Sequence, residues 1–372
     1  MSYWLFRIRL YHQSLKQWLT SLRQMGIGLV ALFPMALPAL VMLPLLSLGV
    51  LADPQTQSSL YLNTLWGYLL LLYSWMNFQR DGIYAARYQL YLKALPTNPA
   101  FKSLCDWGLI IYAANVFILG PVLLLIIVLV QQSGTLTSAN SPAFLAELIP
   151  LLALVILSAY YGFIAVNNTL PWISLLVFPF LAFTWPEELS KLQWLLLWVI
   201  AIVTERFMPA VSIPSGNWPH GLFRLFLRAD ISSPGGEKLR LIALLLLIAL
   251  TRISASSLHP DVQPYLLNLV CFLSALILAS SLFGIQALRE RYHLYLRSLS
   301  GGEFAQLAWG VTYVFLKTLI GVILIALAGI FEVVQWGLWL LFYTGALAGI
   351  LWRPKWFLFV PCLVAIVVFL AA

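Results

Sequence analysis

Residues 264–286 read PYLLNLVCFLSALILASSLFGIQ, a stretch without Asp, Glu, Lys or Arg. A helix of about 20 apolar residues is long enough to cross the hydrocarbon core of a bilayer. Similar runs recur along the whole chain, at about 27–50, 60–78, 107–130, 145–165, 169–185, 192–206, 239–257, 264–286, 307–330, 334–352 and 356–371. This pattern predicts an all-α polytopic integral membrane protein with about 11 transmembrane helices. Because the fifth, sixth and last runs are short, the predicted range is 10–12.

The composition excludes several other classes of protein. Of the 372 residues, 62% are hydrophobic and 9% are charged, whereas about 25% of the residues in a soluble domain are charged. A soluble fold of this composition would expose large apolar areas to water. The cysteines and histidines lack the spacing of a disulfide framework or a metal site: they are Cys105, Cys271, Cys362, His12, His220, His259 and His293. A soluble multidomain enzyme, a disordered chain and a disulfide scaffold are therefore excluded, and no metal or cofactor site is predicted in this chain.

The basic residues indicate the orientation of the runs. Cytoplasmic loops of membrane proteins carry an excess of Lys and Arg. With the N-terminus inside, 18 of the 21 basic residues fall in internal segments, and the external loops contain only Lys191. We therefore predict a cytoplasmic N-terminus, and eleven spans would place the C-terminus outside. The net charge of +8 is interpreted as this topology signal, and no nucleic-acid partner is predicted.

Residues 1–26 are predicted to form an interfacial helix. Their apolar residues recur at helical spacing, and the opposite face is basic, which is typical of a helix lying among lipid headgroups. The triplet Leu5-Phe6-Arg7 recurs as Leu222-Phe223-Arg224, within a segment, 207–238, that precedes the seventh run. Chance recurrence explains this short echo equally well, but a longer repeat lies after the second run of each half. That repeat predicts two halves, 1–206 with about six spans and 207–372 with about five.

A stronger internal repeat lies after the second long run of each half. Residues 87–96 read RYQLYLKALP and residues 291–300 read RYHLYLRSLS, with six of ten positions identical. Both copies precede a Trp-Gly pair that opens the next run. An even number of spans separates the halves, so the two copies would have the same orientation and be related by a pseudo-twofold axis along the membrane normal. The alternative is chance recurrence, because aromatic and basic residues both collect at membrane interfaces.

The layout of each half is an interfacial helix, two spans and a basic loop containing Leu92-Lys93-Ala94-Leu95-Pro96. It resembles the permease subunits of ABC transporters of the ABC-2 (type V exporter) class, here with two permease-like halves fused in one chain. In that class the helix in this loop seats in a groove of the cytoplasmic ATPase. Such permeases usually have six spans per unit, so the five spans after residue 207 depart from the pattern.

The resemblance implies a permease subunit of an ATP-driven exporter in the bacterial cytoplasmic (inner) membrane. Loops 79–105 and 287–305 would each dock on one copy of a separate ABC ATPase, and that partner would bind the ATP and Mg²⁺. Arg and Tyr are enriched at protein interfaces, but the alternative is that these side chains only anchor the loops to anionic lipid. The residues implicated in docking are Arg87, Tyr88, Tyr91, Lys93, Pro96, Arg291, Tyr292, Tyr295 and Arg297.

Lys317 is the one residue that we assign to a substrate path from the sequence. It lies about ten residues into the ninth run, and ionisable residues within spans are costly and often functional. The alternative is that its side chain snorkels toward the interface. The substrate would pass between the halves, or between two chains in a homodimer. Apolar, aromatic-rich spans favour a lipid-like or amphipathic substrate over an ion.

No motif predicts an enzyme. The chain has no GxxxxGK[ST] phosphate-binding loop, and no clustered carboxylates or paired histidines of the kind that catalysis needs. Leu299-Ser300-Gly301-Gly302-Glu303 looks like the ABC-ATPase signature, which works only within a nucleotide-binding domain. The remaining alternatives to an exporter are a non-transporting membrane scaffold or regulatory subunit, and an ion-coupled carrier.

Overall fold

The protein is helical almost throughout in its computed structural model. The structure describes residues 3–32, 36–53, 55–85, 88–133, 142–167, 171–180, 189–207, 226–227, 235–257, 259, 262–293, 296, 303–353 and 357–371. No β-strand occurs within these ranges, so the predicted all-α class is confirmed. Contacts along the chain divide it into two units, Met1–Met208 and Pro209–Ala372.

The first unit contains eight α-helices among its described residues. They are α1 (Tyr3–Leu32), α2 (Ala36–Ala52), α3 (Ser58–Tyr84), α4 (Gln89–Ala94), α5 (Pro99–Ala114), α6 (Val116–Ser133), α7 (Pro142–Val166) and α8 (Lys191–Phe207). A π-helical turn, Ile173–Val177, lies between α7 and α8. The N-terminal helix extends beyond the interfacial segment predicted over 1–26.

The second unit contains six helices in the part that the structure describes. They are α9 (Gly235–Ser257), α10 (Gln263–Ala279), α11 (Ser281–Arg291), α12 (Glu303–Leu327), α13 (Val333–Trp352) and α14 (Phe359–Ala371). Ser280 joins α10 to α11, and the two helices together form one apolar stretch from Gln263 to Arg291.

Several of the described helices are long and apolar enough to cross a membrane. Four meet both criteria: Leu148–Val166, Gln263–Arg291, Leu307–Leu327 and Val333–Trp352. A fifth candidate is the pair α5 and α6, which are bent by 86° relative to each other. A membrane protein of several helical spans is therefore supported, while the finer count of about eleven remains a prediction.

The bend between α5 and α6 occurs at Asn115, in the middle of the apolar run 107–130. Asn115 has φ 42° and ψ −112°, a positive-φ conformation outside the left-handed α region that non-glycine residues rarely adopt. Its N–H still donates to the carbonyl of Ile111 at 3.1 Å, which ends α5 before α6 starts in a new direction. The uninterrupted apolar composition of the run did not indicate this break.

Helix α3 forms the centre of the first unit. Trp66 and Tyr68 are buried, and they donate hydrogen bonds to carbonyls of neighbouring elements: Trp66 Nε1 to Leu175 O at 2.9 Å, and Tyr68 OH to Phe117 O at 2.8 Å. Both carbonyls belong to apolar segments, where lipid chains cannot donate hydrogen bonds to them. The two aromatic side chains supply these hydrogen bonds instead. The outward faces of other helices carry exposed apolar side chains, including Leu123, Ile126, Ile200, Ile320 and Ile323, as expected for surfaces that contact lipid.

Candidate functional site

The first predicted docking loop contains the six-residue helix α4 between two defined turns. Helix α3 ends at Ala85, whose left-handed conformation (φ 47°) lets its N–H bond to the carbonyls of Asp81 and Gly82. On the other side, the Asn98 side chain accepts the N–H of Ala100 and caps α5. These turns fix where the chain enters and leaves α4.

Helix α4 is attached to the unit by an apolar contact and by a lysine. Leu92 is buried with Leu10 of α1 and with Ala85, and Phe6 and Leu95 pack against them. Lys102 Nζ donates to the carbonyls of Leu92 at 3.1 Å and Leu95 at 3.0 Å, which satisfies acceptors left open at the C-terminal end of the helix. The short helix is therefore held rigidly against α1 and α5.

The opposite face of α4 is exposed and largely apolar. Leu90 is 87% exposed, and Tyr88 and Tyr91 are also exposed. The Tyr91 ring meets Phe6 edge to face, with centroids 5.7 Å apart, and Pro96 is exposed just beyond the helix. Of the predicted docking residues in this loop, Arg87 and the side chain of Lys93 lie outside the described residues. Leu90, which the sequence did not single out, is more exposed than either tyrosine of this face.

Tyr3 of α1 packs against the same apolar cluster. Burial raises the pKa of the Tyr3 phenol above its ordinary value of 10.0. The phenol is neutral at physiological pH even at its ordinary pKa of 10.0, and the raised pKa extends this neutral range, so Tyr3 contributes an uncharged, amphipathic ring to the support of α4.

The second predicted docking loop is described only in part. Arg291 ends α11, and its guanidinium lies 5.8 Å from the centre of the Tyr292 ring. Tyr292 is exposed, as Tyr88 is at the corresponding position of the first loop, and Leu296 is buried, as Leu92 is. Tyr295 and Arg297 lie outside the described residues.

Lys317 has an acidic partner that the sequence did not reveal. Its Nζ lies 2.8 Å from Oε1 of Glu237, in the first turn of α9. Lys317 is at the middle of the candidate span Leu307–Leu327, and its Nζ is also 5.4 Å from the centre of the Tyr313 ring. The start of α9 and the middle of α12 are therefore side by side, joined by an ion pair whose two side chains are 23% and 29% exposed.

Glu237 is shared with a second cation, Arg240. The two form an ion pair within α9, and Arg240 also donates to Oγ of Ser280 at 3.0 Å and to its carbonyl at 3.2 Å. Ser280 is the residue that joins α10 to α11. The charge cluster is defined here as Glu237, Arg240, Lys317 and Ser280. It connects α9 and α12 with the junction between α10 and α11, and its formal charge is +1.

The two features differ in the chemistry that they support. The exposed face of α4 offers apolar and phenolic contacts suited to a protein surface, whereas the charge cluster offers hydrogen-bond donors and a carboxylate beside a candidate span. In the described part of the chain, no group of three or more His, Cys, Asp or Glu residues could hold a metal ion. Helical spacing reveals partners only within one helix, so the pairing of Lys317 with Glu237 could not be read from the sequence.

No curated protein and no solved structure matches the chain. One family model matches residues 1–371, almost the entire chain. The chain therefore belongs to this family, which is described as a family of unknown function (DUF6136).

Proposed function

We propose that this chain is the transmembrane permease subunit of an ATP-driven exporter of the ABC-2 type. A separate cytoplasmic ATPase, in two copies, would dock on loops 79–105 and 287–305 and would supply the ATP and Mg²⁺ site. In this proposal the protein has about eleven spans in two parallel repeats, lies in the bacterial cytoplasmic membrane and has a cytoplasmic N-terminus.

The observation that carries the proposal is the geometry of α4. A motor outside the membrane can move a permease only through an element that is exposed to the motor and rigidly connected to the spans. The Leu90 side chain is exposed, while Leu92 and the lysine-bound carbonyls tie the same six-residue helix to α1 and α5. A loop that only anchors to lipid would not need this attachment.

Similarities between the two halves support the repeat. In the corresponding pairs, Tyr88 and Tyr292 are both exposed, and Leu92 and Leu296 are both buried. Matching burial is expected of duplicated elements.

The charge cluster favours a second candidate function, an ion-coupled carrier. Carriers of this kind need ionisable groups along the path of the ion, and Glu237, which pairs with Lys317 of a candidate span, would supply the acid. The two functions differ in their energy source. Transport that persists in vesicles without a nucleotide-binding partner, and that collapses with the ion gradient, would favour the carrier.

A single substitution at the exposed face tests the exporter proposal. We expect Leu90→Glu to abolish co-purification of the full-length protein with a soluble ABC ATPase in mild detergent, because it places a charge at the centre of an apolar contact. Its thermal unfolding midpoint should stay unchanged, since Leu90 is 87% exposed. Co-purification is measured by affinity isolation and identification of the nucleotide-binding protein.

Val333→Glu is the matched control, because Val333 is 88% exposed and begins α13 on the side predicted to be external. It should leave the association intact. Recovery of no ATPase with the unsubstituted protein, or equal recovery with Leu90→Glu, would contradict the proposal.

A further inference from the structure

A cavity of about 150 Å³ lies at one end of the first unit, where α3 ends at Tyr84 and α7 ends at Val166. Its lining combines charged, hydroxyl and aromatic groups, including Arg7, Tyr84, Ser103, Asp106, Trp107 and Phe163. In a membrane protein, the ends of apolar helices lie at the level of the lipid headgroups. The cavity is therefore positioned to receive a polar group that belongs to the bilayer.

Arg7 is a buried cation with unused donors. The residue is 3% exposed, and its Nη2 donates to the carbonyl of Ile83 at 2.8 Å and to Oδ1 of Asp106 at 2.6 Å. Its Nε and Nη1 are buried and find no acceptor among the residues that the structure describes. Buried donors of a charged group are costly to leave unpaired, so anionic oxygen atoms are the missing complement.

Asp106 restricts which anions fit. Its carboxylate lines the same cavity and is half exposed, so it would repel a ligand that carries only negative charge. A ligand with both an anionic and a cationic group avoids this repulsion, because the cation can approach Asp106 while the anion approaches Arg7. The pair thus favours a zwitterion over a simple anion or a simple cation.

The aromatic part of the lining suits an ammonium group and an apolar tail. The Trp107 ring stacks on Phe163, with centroids 4.8 Å apart and planes 6° apart, and Trp107 is partly exposed. The face of an indole ring attracts an ammonium ion. Ile110 and Val166 complete an apolar wall of the cavity, beside which the glycerol and acyl chains of a lipid could lie.

From these observations we propose that the cavity binds the phosphoethanolamine headgroup of a membrane phospholipid. The phosphate oxygens accept from Nε and Nη1 of Arg7, and the primary ammonium donates to Asp106 and lies near the Trp107 ring. Such a lipid would bind at the junction of α1, α3, α5 and α7 and stabilise it. The inference is independent of the proposed transport function.

Lipid titrations of the purified full-length protein test the proposal. Short-chain phosphatidylethanolamine should raise the thermal unfolding midpoint and should bind roughly tenfold or more tightly than phosphatidylcholine, whose quaternary nitrogen has no N–H to donate to Asp106. Phosphatidylglycerol should also bind more weakly, because it brings no cation. Equal binding of the three lipids would overturn the proposal, as would binding of free phosphoethanolamine as tight as that of the lipid.

Asp106→Asn gives the sharpest readout, because it removes the negative charge and keeps the size of the side chain. We expect the preference to reverse, with phosphatidylglycerol binding more tightly than phosphatidylethanolamine, since Arg7 then faces the ligand without a carboxylate. Asp81→Asn removes an exposed acid near the same end of α3 and should leave the preference unchanged. An unchanged headgroup preference in Asp106→Asn would contradict the assignment. This test does not require an Arg7 variant, so it stays decisive even where loss of the guanidinium prevents folding.

Discussion

Glu237→Leu is expected to destabilise the protein by about 3 kcal/mol, whereas Lys317→Met should cost only about 1 kcal/mol. The asymmetry follows from the sharing of one carboxylate by two cations. Removing Glu237 takes the carboxylate from both Lys317 and Arg240, while removing Lys317 leaves Glu237 paired with Arg240. These side chains are only 23–29% exposed, so a cation that loses its carboxylate is incompletely solvated, and the loss exceeds the net free energy of the pair.

Detergent- or heat-induced unfolding of the purified full-length protein measures both variants. The double variant Glu237→Leu/Lys317→Met should be more stable than Glu237→Leu alone, because it also removes one of the two positive charges that the Glu237 carboxylate balanced. Glu290→Leu, which removes an exposed acid at the end of α11, serves as the control and should change stability by less than about 0.5 kcal/mol. Equal effects of Glu237→Leu and Glu290→Leu would show that the charge cluster does not contribute.

Glu205→Leu is expected to destabilise the protein by about 2 kcal/mol. The Glu205 carboxylate accepts the Ser174 hydroxyl at 2.6 Å and the N–H groups of Ile173 and Ser174 at 3.3 and 3.4 Å. It thereby caps the π-helical turn from a different helix, and Ser174 is completely buried. The first N–H groups of a helical segment have no partner inside it, so removal of the carboxylate leaves buried donors unsatisfied.

Glu205→Gln retains an acceptor and should cost less than half as much as the leucine variant. Arg206→Met changes the exposed neighbour on α8 and should have little effect. All three variants are compared by the midpoint of thermal unfolding. A leucine variant as stable as the Arg206 control would mean that the cap contributes nothing.

The helical class of the fold was readable from the sequence because it depends on quantities that composition records directly. A chain with 9% charged residues and long apolar runs can satisfy its backbone in lipid by forming helices. The bend at Asn115 was not readable, because it depends on one residue with a positive φ within an otherwise apolar run. Tertiary packing, which the local pattern does not record, decides whether such a residue breaks the helix.

The candidate site was predictable to a similar, partial extent. The repeated decapeptide drew attention to the loop that contains α4, and the predicted residues Tyr88, Tyr91 and Pro96 are exposed there. Leu90, which is the most exposed of the large apolar side chains described in this loop, was missed because an isolated leucine in a Tyr/Leu pattern has no distinguishing signal. Lys317 was noticed as a charge in a span, but its partners Glu237 and Tyr313 depend on helix packing.

The central claim is that α4 contacts an ATP-hydrolysing partner, and a photo-crosslinking amino acid at position 90 tests it most directly. In living cells, irradiation is predicted to join this position to a separate protein that contains the GxxxxGK[ST] phosphate-binding loop, identified by mass spectrometry. The same probe at position 333, which is equally exposed, should not capture that protein. Crosslinks from position 90 to lipid alone, or to proteins without a nucleotide-binding domain, would contradict the account.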